Sequence, residues 1–280
     1  MINLAGKTAF AFISAFLVIS AAQIQSYAQM AKLTGPVFFG SPDQPFGIRR
    51  AVTSADRAVI QSYRAGRKPL LFSTSFDSPA ELQADWVPQT DDNPSLKSCR
   101  RPANAEASSA GLRLKTLVAT DCRAHWSTAS INSKAKYTYG FFEATMKIAD
   151  IKGMNNAFWL TTDDHYEIDV TEAQYPNYSH ITLHKWPATK DETHEAVGFG
   201  AKFDRNLAYD FHDYGVLWTP TGMIFEVDGE PVAALTLKGS PKAPATVRFS
   251  TALADWAGGP VPEHPEGHGA VVKSLRIYGQ

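Results

Sequence analysis

From about Leu70 onward the chain repeats one pattern: short runs rich in β-branched and aromatic residues, in which apolar and polar positions alternate, separated by turn residues. These runs are Leu70–Phe76, Leu112–Val118, Thr128–Ile131, Tyr139–Ile148, Asn156–Leu160, Tyr166–Glu172, Ser179–His184, Phe211–Trp218, Gly222–Val227, Pro231–Leu237, Thr246–Ala252 and Val271–Tyr278. No long helical period intervenes, so the pattern predicts an all-β domain, an antiparallel sandwich or jelly roll over residues 70–280. Asp228-Gly229 marks a hairpin tip. Residues 29–69 show little periodicity until Ser54–Ile60, which can cap and form one short helix. They read as an N-terminal linker or strap of unassigned role.

One strand departs from the pattern. Tyr166-Glu167-Ile168-Asp169-Val170-Thr171-Glu172 puts three carboxylates into six residues. Side chains two apart share a strand face, so Glu167 and Asp169 point one way while Ile168 and Val170 point into a core. Glu172 has the wrong parity. A β-bulge near Val170 and Thr171 restores it to the face of Glu167, and the strand then shows a row of acids to solvent. Glycoside hydrolysis uses such a row. A retaining enzyme needs a nucleophilic carboxylate and a proton-donating one about 5–5.5 Å apart. With Glu167 ionised, the charges of Glu167 and Asp169 are expected to raise the pKa of Glu172 and keep a proton for the leaving group. The plain alternative is an acidic solvent face on an amphipathic strand.

Composition narrows the partners. The 280 residues are 44% hydrophobic and 20% charged, with a net charge of −1. No dense Lys/Arg run exists, which leaves nucleic acid without an electrostatic footprint and makes an uncharged polymer the easier partner. Residues 1–28 carry Lys7, an apolar run from Ala9 to Ala22 and a Ser26-Tyr27-Ala28 cleavage pattern, read as a secretory signal peptide. That run is shorter than the ~20 residues that span a bilayer, so a secreted or periplasmic protein without a stable membrane anchor is expected. Cys99 and Cys122 are the only cysteines, and in an oxidising compartment they are expected to pair; two unpaired buried thiols are the other reading.

Aromatic residues crowd the segments around the acids. Trp159 is the first candidate for stacking against the apolar face of a sugar, with Trp126 and Trp186 after it. Alternation in Ser179–His184 places His180, Thr182 and His184 on one face, where His184 can meet sugar hydroxyls or the acid/base if that strand neighbours the acids. Asn155, Asn156 and Arg123 suit hydroxyl recognition. His264 and His268, with Glu263 and Glu266, read as a solvated loop rather than a metal site. No Ser-His-Asp set and no phosphate-cradling glycine loop stands out.

Glu167-Ile168-Asp169-Val170-Thr171-Glu172 resembles the E-x-D-x-x-E signature of glycoside hydrolase family 16, in the bulged form of its laminarinases, agarases and carrageenases. Lys136–Ala144 is similar to that family's K-Y-G-Y-F-E-A strand, Ala157–Leu160 to its A-F-W-L strand and Asp210–Pro220 to its D-F-H-x-Y-x-x-x-W-T-P segment. Ser274–Tyr278 is similar to its closing V-R-V-Y strand. The resemblance, which spans about residues 70–280, implies a concanavalin A-like jelly roll of two curved antiparallel sheets with an open concave cleft. It further implies Glu167 as nucleophile, Glu172 as general acid/base, Asp169 as their assistant and Trp159 beside the scissile bond. No cofactor is implied. The calcium-binding Asp of many members is replaced by Lys273, so no metal is expected, and Asn155-Asn156 replaces a glucanase-like W-P. A galactan or another β-glycan therefore stays open beside β-1,3-glucan. The leading expectation is a secreted, monomeric, retaining endo-β-glycosidase of a polysaccharide. A transglycosylase and a non-catalytic carbohydrate-binding protein are the alternatives.

Overall fold

A computed structural model describes residues 30–35 and 41–280; the expected signal peptide lies outside them. The domain is an all-β jelly roll of two curved antiparallel sheets. The first sheet has nine strands, in the order Gly47–Arg50, Glu230–Leu237, Gly222–Val227, His212–Thr219, Gly140–Lys147, Gly269–Tyr278, Gly111–Lys115 and Ala105–Ser108, with Leu70–Thr74 also on Gly269–Tyr278. The second has seven, in the order Glu195–Lys202, Tyr178–Lys185, Tyr166–Gln174, Met154–Thr162, Ala245–Leu253, Ser130–Tyr137 and Trp86–Pro88. A small three-stranded sheet holds a parallel pair, Cys99–Arg100 beside Trp126–Thr128.

The alternating pattern becomes the core. Phe158, Leu160, Ile168, Ile181, Leu183, Val197, Val247 and Phe249 from the seven-stranded sheet meet Phe142, Ala144, Val216, Trp218, Phe225 and Ile277 from the other. Each large side chain so buried contributes roughly 1.5–3 kcal/mol. Their neighbours in sequence are left on the opposite face of the seven-stranded sheet, and that face is the cleft.

Each expected strand forms, with ends moved by a few residues; the short strands Gly47–Arg50, Trp86–Pro88, Cys99–Arg100 and Ala105–Ser108, the eight-residue Glu195–Lys202 and a second helix, Pro79–Asp85, are added. The Thr128–Ile131 run divides between Trp126–Thr128 and Ser130–Tyr137, and Leu112–Val118 between Gly111–Lys115 and Leu117–Val118. Glu195–Lys202 corresponds to none of the expected runs, yet its Val197, Phe199 and Ala201 alternate inward as in any strand. The helix runs over Ser54–Arg64, capped by Thr53 and Asp56 in a reciprocal capping box, and is longer than the expected Ser54–Ile60. Its Ile60 and Tyr63 pack on Phe141, Leu217, Ile224 and Tyr278, on the outer face of the nine-stranded sheet. Arg64 at its end reaches Glu143 at 2.5 Å and Asp213 at 2.7 Å. Cys99 and Cys122 form a disulfide, with Cα atoms 6.4 Å apart.

Candidate active site

The acids stand on Tyr166–Gln174, in the middle of the seven-stranded sheet. On one side Phe158 pairs with Thr171 and Trp159 with Asp169; on the other the register slips between Asp169 and Glu172. Val170 is thus the extra residue of a bulge. Val170 and Thr171 are both buried, Thr171 through a hydroxyl contact of 2.7 Å with Ser179, and Glu172 turns to the face of Glu167 and Asp169. The row is not the solvent face that parity alone suggested. Asp169 is only 3% exposed and the two glutamates are half-buried.

Each carboxyl has a distinct environment. Glu172 Oε1 accepts a 2.6 Å bond from the Asn155 amide, and Glu167 Oε2 accepts one of 3.2 Å from the Trp186 indole. Asp169 Oδ2 lies 2.9 Å from His184 Nε2. Burial pushes Glu172 up to about 8, with the Asp169 charge adding to it and the Asn155 amide opposing. Burial likewise takes Glu167 to about 7, again helped by Asp169 and opposed by His184, Trp186 and Arg248. Asp169 is raised to about 7 by burial. The expected rise at Glu172 is present, but loss of water drives it more than the neighbouring charges do.

Trp159 lies directly across from Asp169, its indole bonded to Ser250 at 3.1 Å and its ring covered by the Arg248 guanidinium at 4.8 Å. His184 sits opposite Glu167, and its partner is the middle acid rather than Glu172. Trp186 is 42% exposed at the Glu167 end. Asn156 is fully buried and bonds backbone at Ala149, Met154 and Ala173, a structural role in place of hydroxyl recognition. Trp126 packs against the cluster of Ala149, Met154 and Leu253, and Arg123 donates to the Pro94 carbonyl. They line a surface pocket of about 330 Å³ with Lys97, Val261, Pro262 and Glu263.

Several cleft residues were missed. Arg248 and Ser250 were within reach, because they alternate with the inward Val247 and Phe249. His194 carried no periodic signal, yet its Nε2 lies 2.8 Å from His184 Nδ1. Glu167, Asp169 and His184 bring three donor atoms within 4.8 Å of one another, and a cation there would compete with the Asp169–His184 bond.

A curved all-β sandwich with a row of three carboxyls beside a tryptophan and a histidine has the groups that glycoside hydrolysis uses, and defines a class of jelly rolls with a carboxylate-lined cleft. Comparison narrows this class: residues 96–270 match the sequence profile of glycosyl hydrolases family 16, and the chain belongs to that family. Among curated relatives, it is 30% identical over 128 residues to the endo-1,3-1,4-beta-glycanase EglC of Rhizobium meliloti (strain 1021), 44% of this chain and 26% of that protein. It is also 30% identical over 110 residues to xyloglucan endotransglucosylase/hydrolase protein 2 of Arabidopsis thaliana, 38% of this chain and 37% of that one. The matches thus span about a quarter to two-fifths of these relatives' lengths. The catalytic domain LamAcat of Zobellia galactanivorans superposes with a TM-score of 0.66 at 20% identity, over 77% of this chain and 99% of that domain. The endo-β-1,3-glucanase of Pyrococcus furiosus gives 0.64 at 18% identity, over 75% and 94%. At these identities the structural likeness speaks for the fold alone.

Proposed function

We propose that the protein is a secreted, retaining endo-β-glycosidase that hydrolyses a β-glucan, ahead of a galactan, by double displacement. The observation that carries this reading is the bulge at Val170, which sets three carboxyls, one buried and two half-buried, on one cleft face with different partners. In the proposed first step Glu167 attacks the anomeric carbon while Glu172 gives its proton to the leaving glycosidic oxygen. In the second, Glu172 takes a proton from water, the water oxygen bonds the same carbon, and Glu167 leaves. The ordering supports these roles: Glu172, the more strongly raised, holds its proton while Glu167 ionises first. Asp169 holds Glu167 and Glu172 under a common field, and Trp159 presents its face to the sugar next to the scissile bond.

The experiment is reducing-end release from laminarin, lichenan, agarose, porphyran and carrageenan by the wild type and by Glu167→Gln. Turnover on a β-glucan is expected, and a loss of at least ~10⁴-fold in the variant, with an unchanged circular dichroism spectrum. Near wild-type turnover by the variant would end the proposal. The kinship with xyloglucan endotransglucosylase/hydrolases supports a second reading, in which a sugar hydroxyl replaces water in the second step. Products heavier than the donor would reveal it.

A further inference from the structure

Behind the acids, two imidazoles stand in series. His184 Nε2 is 2.9 Å from Asp169 Oδ2, and His184 Nδ1 is 2.8 Å from Nε2 of His194. His194 is exposed, so the series runs from a carboxyl that is 3% exposed to water. The His194 ring also stacks on Trp186, with centroids 4.2 Å apart and planes at 20°, and the Trp186 indole donates to Glu167. Two facing ring nitrogens hold one proton between them. With Asp169 ionised, His184 donates from Nε2 to Asp169 and accepts at Nδ1 from His194. With Asp169 protonated, Asp169 donates to His184 Nε2, His184 donates from Nδ1, and His194 accepts. Passing from the second state to the first moves a proton from Asp169 to His184, another from His184 to His194, and releases one from His194 Nδ1 to water.

We propose that His194 is a positioning residue for the hydrolysis proposed above: through His184 it fixes the protonation state of Asp169 and links that buried acid to solvent by a two-imidazole relay. A sugar filling the cleft would shut Asp169 off from water on its open side. The relay leaves an exit through the strand pair, so Asp169 exchanges its proton with solvent while the cleft is filled. Burial lowers the pKa of both histidines, which keeps the imidazoles neutral at pH 7 as the relay requires. The charged groups around the pair are Glu167, Asp169 and Glu172 on the acid strand, Lys185 and Glu195 at the adjoining strand ends, and Arg248 above Trp159. Arg49, from the N-terminal segment, bonds the Gly198 carbonyl beyond them.

The test uses His194→Phe, which keeps a flat ring for Trp186 but has no ring nitrogen, and His194→Gln, whose amide donates to His184 Nδ1 but does not relay. The inference rests on the hydrolase reading, so one measurement is independent of turnover: the nitrogen-15 spectrum of the His184 imidazole against pH. The phenylalanine variant is expected to change the His184 tautomer and to lower kcat roughly 10-fold with KM within about 2-fold, a fraction of the ~10²–10⁴ from a positioned proton carrier. Its pH profile should move, and the glutamine variant should restore the tautomer with only part of kcat. A His194→Phe protein with the wild-type His184 tautomer and an unmoved pH profile overturns the relay. If the wild type cleaves no polysaccharide, the hydrolase reading fails, and the nitrogen spectrum alone still decides whether His194 governs His184.

Discussion

Asn155 is the residue through which Glu172 can be tuned without touching it. Its amide donates to a carboxylate oxygen, which favours the ionised form and holds the pKa of Glu172 below what burial alone would give. The proposed chemistry needs Glu167 ionised and Glu172 protonated, so activity should follow a narrow bell with limbs near the values of about 7 and about 8. Asn155→Ala removes the opposing bond, raises Glu172 further and should carry the alkaline limb to higher pH while the acid limb stays. A pH series of kcat/KM checks this, and an alkaline limb moving down would contradict it. At this scale the three acids and Trp159 were legible, because strand parity is strict and only one extra residue had to be supposed. His184 was placed on the right face, but its partner was not legible. A contact between neighbouring strands depends on register, and register is not written in either strand alone.

Between the elements, the helix Ser54–Arg64 shows how much is settled away from the cleft. Arg64 reaches down to Glu143, which is 1% exposed and also held by Arg276 at 2.7 Å, and to Asp213. Glu226 lies close by, bonded to the Gly229 backbone, and burial raises its pKa well above the ordinary range and that of Glu143 in the same direction. Removing the arginine leaves buried carboxylates short of a partner. Arg64→Ala should lower stability by about 3–5 kcal/mol in urea unfolding at pH 8. The loss should shrink at pH 5, where protonation relieves the uncompensated acids. A loss of under about 1 kcal/mol at both pH values would show that the helix docks by apolar packing alone. The helix start was legible from its capping residues, while its length was not. The last turn is fixed by Tyr63 and Arg64 meeting a distant sheet, a tertiary contact with no local signature.

Taken over the whole molecule, the cleft is a source of instability that grows with pH. Glu167, Asp169 and Glu172 all have pKa values raised in the folded state, so at these three groups the folded chain binds more protons than the unfolded one once pH exceeds about 4. Stability contributed by the protonated forms is therefore complete at low pH and is lost as pH rises toward about 8. Glu167→Gln, which removes one of these groups, should raise Tm by about 2–4 °C at pH 8 and by almost nothing at pH 4, as read by calorimetry. An equal shift at both pH values would point to packing instead. The two-sheet architecture was legible from the alternating runs, whereas the strand Glu195–Lys202 and the placement of residues 30–35 and 41–50 were not, since glycines and prolines carry no period. That placement has a consequence of its own. Thr34 bonds the Lys202 backbone, Gln44 and Arg49 bond the carbonyls of Ala196 and Gly198, and Gly47–Arg50 pairs with Glu230–Leu237. One border of each sheet, Glu195–Lys202 in the one and Glu230–Leu237 in the other, is thereby occupied by the same segment and withheld from another chain. Cutting the protein back to Ala51 should bare both borders at once, and the shortened form should self-associate with rising concentration in analytical ultracentrifugation while the full-length chain does not.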